Sequence, residues 1–286
     1  MTRIEIPTGP AAPPAAAAAM AKAGGENFPV ASRVLPRRQR EHLLALYGFA
    51  RLVDDVGDEA PGDRRALLDW LDEEVDRVYG GEPTHPLTRR LAATVRACAI
   101  PPEPLRALIA ANRQDQEVHE YETIDDLLGY CALSANPVGH LVLHVFDAAT
   151  PERIRLSDAV CSGLQLVEHW QDVAEDLGRG RVYLPQEDLR RFDVTGDHLS
   201  APVAGEPVRR LLAFEVARAR RLLDEGAPLV RTLRGRPALA VAAFVAGGRA
   251  ALDAIAAGGY DVLGATPRPS RRQRAAALAR TLARRR

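Results

Sequence analysis

From Pro36 onward, apolar residues return every three or four positions, with no run alternating every second residue, so this chain can close a core only by packing helices. The stretch Arg37 to Val56 puts Leu43, Leu46, Tyr47, Ala50 and Val53 on one stripe. Composition agrees: Ala, Leu and Arg dominate and aromatics are 5%, so strand formers are sparse. Pro61-Gly62 breaks the pattern, and Asp63 is placed to cap a helix to about Tyr79 that Gly80-Gly81 ends. Helices are then expected over Leu87–Cys98, Glu103 to about Glu120, and Ile124 to about Leu133 behind a Thr123 cap. Ser134-Ala135-Asn136-Pro137 should break the pattern before helix resumes through Phe146. Three long helices follow, about Glu152–Leu177, Val208–Leu233 and Pro237–Gly258. The expectation is one all-α domain, residues 26–270, with an Ala/Pro-rich disordered leader at 1–25 and a basic tail at 271–286.

Formal charge is zero overall but uneven. Residues 271–286 hold seven Arg and no acid, leaving 31 basic against 38 acidic residues elsewhere. A globally basic nucleic-acid binder is therefore disfavoured. The tail reads as a frayed, solvated terminus or as a contact for anionic lipid head groups. Cys98, Cys131 and Cys161 are odd in number and include no CxxC pair, which argues against a disulfide framework and fits a reducing cytoplasm. No uninterrupted apolar run reaches the ~18 residues that span a bilayer; Ala238 to Gly248 comes nearest. Met1 to Gly25 lacks the basic and Leu-rich regions of a secretory signal.

Two acidic runs stand out. Asp54, Asp55, Asp58 and Glu59 crowd four carboxylates into six residues, and on an α-helix Asp54 pairs with Asp58 and Asp55 with Glu59 on shared faces. Their repulsion calls for positive charge, and a hard cation such as Mg²⁺ takes oxygen ligands and shares them with phosphates. Glu168, Asp172 and Asp176 stand four apart, about 12 Å along an α-helix with a drift of about 40° per step, so one face would carry all three. Each run also reads as a solvated acidic stripe. Arg179 and Arg181 follow in a Gly-bearing loop, within reach of a phosphate. If the two faces oppose each other across a cavity, they can hold a Mg²⁺ cluster that draws away a diphosphate leaving group. His140 and His144, four apart, read more readily as a core or surface pair than as zinc ligands, since no HExxH is present. His169 reads either as a proton shuttle beside the second acidic face or as a side chain pointing away from it, and the second is expected.

Three segments then match a known family. Asn27-Phe28-Pro29-Val30-Ala31-Ser32-Arg33, Leu35-Pro36 and Tyr47 through Glu59 resemble the first conserved region of squalene and phytoene synthases. Gly163-Leu164-Gln165-Leu166, Trp170 through Asp176 and Gly180 through Pro185 resemble the second. Tyr130-Cys131 and Asn136-Pro137-Val138-Gly139 resemble the helix break between them. The order and spacing hold over roughly residues 26 to 270. Within the family, Glu-Asn-Phe-Pro-Val-Ala-Ser and Trp-Gln-Asp look most like the hopanoid-pathway hydroxysqualene synthase branch.

The resemblance implies a class I isoprenoid synthase-like helical bundle with a central cavity, dependent on Mg²⁺. It implies metal ligands at Asp54, Asp55, Asp58, Glu168, Asp172 and Asp176, with Tyr183 joining the catalytic set. Asn27, Phe28, Tyr47, Arg51, Tyr130, Gln165, Gln171, Arg181 and Tyr260 would meet the substrate or order the acidic faces, Tyr260 by closing over it. Many members carry Asn at the position of Glu168 and Arg at that of Gln171; the Gln removes a cation and leans toward a single diphosphate.

The reaction expected is presqualene diphosphate and water to hydroxysqualene, a carbon–oxygen lyase acting on a phosphate. The rivals are a prenyltransferase joining two farnesyl or geranylgeranyl diphosphates head to head, and a catalytically silent helical partner protein. An isoprenoid diphosphate is the expected partner, without nucleic acid. A peripheral contact with the inner membrane face and with neighbouring squalene-pathway enzymes would suit an apolar product.

Overall fold

A computed structural model describes residues 13–16, 20 and 35–283. Among these residues there is no strand, and a single isolated bridge joins Glu120 to Val182. The chain divides into two compact units, one of residues up to Glu117 with His144–Asp147, the other of Val118–Leu143 with Ala148 onward. Asn27, Phe28 and most of the 1–25 leader lie outside the described residues.

The first unit holds α1 (Arg37–Asp54), a π turn (Asp55–Glu59), α2 (Arg64–Gly80), α3 (Pro86–Cys98) and α4 (Glu103–Gln114). Asp63 caps α2 by accepting from the Ala66 N–H at 3.1 Å. Phe49, Leu52, Val53, Val56, Leu68, Leu71, Leu91, Leu105 and Ile109 form its core, all with no exposed surface. α4 is shorter than expected, because the backbone beyond it bonds elsewhere: His119 and Tyr121 carbonyls accept from Val182 and Gln186 N–H. Buried Glu74 collects Arg77, Thr84, Thr88 and the His85 N–H, and so ties the 84–88 turn to α2. Of the leader, Pro14 is described, its carbonyl 3.2 Å from His85 Nε2.

α5 (Ile124–Ser134) starts on a capping box in which Thr123 and Asp126 bond reciprocally, and α6 (Asn136–Val145) follows the expected break. The second unit then holds α7 (Pro151–Gln171), α8 (Val173–Gly178), α9 (Gln186–Arg191), α10 (Gly196–Leu199), α11 (Glu206–Gly226), α12 (Leu229–Thr232), α13 (Gly235–Ala257) and α14 (Arg271–Ala283). Two expected helices are shorter here. The one expected to reach Leu233 ends at Gly226, ahead of Pro228, and the one expected to reach Leu177 breaks at Asp172.

α7 and α11 pack closely where Gly226 lies on α7: a Cβ there would sit 2.5 Å from Val160 Cγ2 and 2.7 Å from the Leu156 carbonyl. α13 is long and apolar enough to cross a membrane, with mean hydropathy 1.6 over its best window. Its Val241, Val245, Leu252 and Ile255 are nonetheless buried, and it packs on α7, α11 and α14. The basic tail is not frayed over Arg271–Ala283: Ala277 packs on Ala246 and Ala250 of α13, with Leu278 beside them.

Candidate active site

The first acidic run begins where α1 stops. From Asp55 to Glu59 the backbone widens into a π turn, a winding common at functional sites, so the α-helical spacing expected for the run does not hold. Gly57 admits α4 to this turn: a Cβ would stand 1.9 Å from Asn112 Oδ1. Gln116 Nε2 donates to the Gly57 carbonyl at 3.0 Å, and Asn112 Nδ2 approaches Asp54 Oδ1 at 3.5 Å. Arg51, one turn back, reaches Asp55 Oδ1 at 2.8 Å and Glu59 Oε1 at 3.2 Å. It is therefore placed to order the acidic run. Asp54 is open to solvent on one side yet crowded by protein on the others, and that crowding pushes its carboxyl up to about 7 against the pull of Arg51. Asp58 and Glu59 are exposed, and Tyr47 is half-buried on α1.

The second run is not the continuous stripe expected. Asp172 leaves helical geometry at φ −107°, ψ 18°, and α8 starts afresh at Val173. The break has an electrostatic reason. In one long helix Glu175 and Asp176 would sit at its C-terminus, opposed by the dipole; after the break they occupy the first turn of α8, where it favours them. Burial raises Asp172, with Glu175 adding to it, and raises Asp176 to about 6, with Asp172 adding to it. Arg179 lies 2.8 Å from Glu175, while Arg181 donates its backbone N–H to the Asp176 carbonyl at 2.9 Å. Glu168 is exposed at the end of α7.

His169 does not point away. It is buried, its Nδ1 is 4.0 Å from Asp176 Oδ2, and its Nε2 is 3.2 Å from Gln165 Nε2. Burial lowers it to about 3, so it stands neutral. Its ring stacks on Tyr183 at 3.8 Å and 18°, and Tyr183 meets Tyr130 and Tyr121, each at 5.9 Å. A small cavity of about 10 Å³ touches His169, Asp176, Arg181 and Tyr183, near the lower limit for one water. Gln171 donates Nε2 to the Pro267 carbonyl at 2.5 Å, which fixes the segment after α13 against the acidic run. Tyr260 sits just beyond α13 at φ 60°, held by its N–H to the Ile255 carbonyl at 2.9 Å.

Sequence reasoning missed Asn112, Gln116 and Tyr121, which belong to no recognised motif; Gly57, a glycine inside an acidic helical run, was the signal for the first two. His140 Nε2 lies 2.6 Å from Asp158, so its partner is a carboxylate.

Residues 21–276 match the squalene/phytoene synthase family. The chain belongs to that family. Its relatives include a hydroxysqualene synthase of Rhodopseudomonas palustris, 33% identical over 73% of this chain and 72% of that one. A phytoene synthase of Arthrospira platensis is 30% identical over 70% and 71%. The crystal structure of squalene synthase HpnC from Alicyclobacillus acidocaldarius superposes with TM-score 0.80 at 46% identity, covering 84% of this chain and 92% of that one.

Among the described residues of this family member, no three His, Cys, Asp or Glu side chains converge into a ready-made ion site. Each acidic run, taken by itself, nevertheless suits a hard cation. Each run is all carboxylate, and Asp54 in the first and Asp172 and Asp176 in the second are raised by burial, a cost that bound positive charge would offset.

Proposed function

We propose that this chain converts presqualene diphosphate and water to hydroxysqualene and diphosphate. The observation that carries the reading is its likeness to the HpnC structure and to hydroxysqualene synthases, including that of Sinorhizobium fredii at 34% identity over 73% of this chain. Asp54, Asp55 and Asp58 from one run and Glu168, Asp172 and Asp176 from the other would hold Mg²⁺. Bound there, the metal would supply Lewis acidity to the departing diphosphate. The carbon–oxygen bond breaks with its electron pair leaving on diphosphate; water then bonds to the rearranged cation and loses a proton.

The geometry supports the following contributions from the protein's own residues. Arg51 holds Asp55 and Glu59 in place, so carboxylate repulsion does not splay the turn. Arg181, beside Val182 whose N–H bonds the His119 carbonyl, would add a guanidinium for phosphate oxygen. Tyr183, Tyr130 and Tyr121 pack ring against ring, and such rings would stabilise a cation without acting as nucleophiles. Neutral His169 keeps a second positive charge away from that cation.

The phytoene synthases among the relatives keep head-to-head condensation of two prenyl diphosphates as a second reading. The test offers Mg²⁺ with presqualene diphosphate, farnesyl diphosphate or geranylgeranyl diphosphate in separate tubes. Hydroxysqualene from the first alone is expected. Presqualene diphosphate from the second, or phytoene from the third, would replace the proposal with the condensing reaction. No turnover of any of them, by folded protein, would leave the silent-partner reading.

A further inference from the structure

The C-terminal helix divides its arginines into two groups. Behind α14, a cavity of about 420 Å³ is lined by Arg220, Asp224, Arg249, Asp253, Arg280 and Thr281. Its arginines have acids: Arg220 is 2.8 Å from Asp253, Arg249 pairs with Asp224, and Arg280 is 3.4 Å from Asp253. These contacts pack the helix. Arg271, Arg272 and Arg274 are different. All three are exposed, and none has a carboxylate partner among the described residues.

The packing fixes what the helix shows to solvent. Ala277 and Thr281 are buried, so at about 100° per residue Arg272, Ala275, Ala276, Ala279 and Ala283 lie on the opposite, exposed side. Arg272 is the charged side chain on that side, Arg271 flanks it, and Arg274, although turned toward the packed side, is exposed in the same first turn; the alanines let a surface approach closely. The sequence has eight Arg and no acid after Asp261, against 30 basic and 38 acidic residues in the rest of the chain. Charge is thus segregated to one end of the chain, as suits a partner that is flat, anionic and met from one side.

We propose that the exposed first turn of α14 docks this protein on an anionic phospholipid surface, through guanidinium–phosphate contacts made by Arg271, Arg272 and Arg274. The inference stands on charge and packing and does not depend on the reaction proposed above. Each arginine near such a surface strengthens binding several-fold at ordinary ionic strength. Reversing three should weaken it at least about a hundredfold.

The test is flotation of the full chain with vesicles of phosphatidylglycerol in phosphatidylcholine, against phosphatidylcholine alone, at low and high salt. Expected are binding to the anionic vesicles only, loss at high salt, and loss in the triple variant Arg271→Glu/Arg272→Glu/Arg274→Glu, with Arg96→Glu as a charge control elsewhere. A thermal melt confirms that the triple variant is folded; should it not be, Arg272→Glu alone, an exposed single change, carries the test with a several-fold loss. Equal binding to neutral vesicles, no binding to anionic ones, or equal losses in the variant and the control would each overturn the proposal. So would retention by duplex DNA as tight as by the vesicles at matched salt, which would mark general polyanion attraction.

Discussion

The two acidic runs offer the same chemistry on unlike supports. The first is strapped by polar side chains: Arg51 grips Asp55 and Glu59 while Asn112 and Gln116 lean on the turn from α4. The second is set by a broken helix and backed by rings, with neutral His169 between Asp176 and Tyr183. The first run carries its own positive charge; in the second, Arg179 goes to Glu175. Crowded carboxylates are thus ordered by hydrogen bonds and an arginine in one run and by a backbone break in the other.

The largest effect should come from removing a donor on either side. Asp54→Asn and Asp176→Asn are each expected to lower kcat/KM by a factor on the order of a thousand, an order typical of losing a preorganised electrostatic contact. If both runs serve one metal–diphosphate assembly, the double variant should be little worse than either single one, since residues acting as a unit are non-additive. Fully multiplicative losses would separate the runs into independent roles.

Next in size is the contrast between packing and polarity at His169. His169→Ala removes the stacked ring and should cost about 2–4 kcal/mol of stability, as large-to-small core changes do. His169→Phe keeps a ring on Tyr183 and should recover most of that, while Gln165 and Asp176 lose their polar neighbour. A Phe variant that melts like wild type yet needs more Mg²⁺ for half-maximal rate would assign His169 to positioning Asp176. Unchanged Mg²⁺ dependence would leave it a core residue.

The helices were legible because their signals are local. Asp63, Thr123, Pro61-Gly62 and the 134–137 break lie where the sequence put them. What escaped was set by partners distant in sequence. The π turn meets α4 where Asn112 lies against Gly57, 55 residues away in the chain, and the expected continuation of α4 is lost where the carbonyls of His119, Tyr121 and Glu122 accept from Val182, Gln186 and Glu187 instead. The Asp172 break reads in hindsight from acids that would have sat at a helix C-terminus. His169 was misjudged for a related reason: helical spacing places a side chain on a face, but a break three residues later changes what that face meets.

A smaller effect sharpens the first run alone. Gly57→Ala puts a methyl against Asn112, and relief requires that buried side chain to move, so a loss of about 1–3 kcal/mol in thermal or urea melts is expected. Asn112→Ala in the same chain should restore part of it, because the clash lies on the side chain and not the backbone. A double variant no better than Gly57→Ala would mean that the backbone itself resists the change.

The smallest and most diagnostic effect is on pH. Asp54 at about 7 and Asp176 at about 6 bind a proton more tightly folded than unfolded. By linkage, the metal-free protein should lose stability as pH rises from the unfolded carboxyl value through these folded ones, between roughly 4 and 7. Mg²⁺ competes with those protons, so its stabilising effect should grow over the same interval. The measurement is a melting series across that range, with and without Mg²⁺ and pyrophosphate, on wild type, Asp54→Asn and Asp176→Asn. Asp54→Asn should flatten the upper part of the metal-free slope and Asp176→Asn the part below it. If the first change removes the Mg²⁺ response and the second only the slope, the strapped run binds the metal first and the ring-backed run completes the site. The reverse pattern would give the leading role to the broken helix.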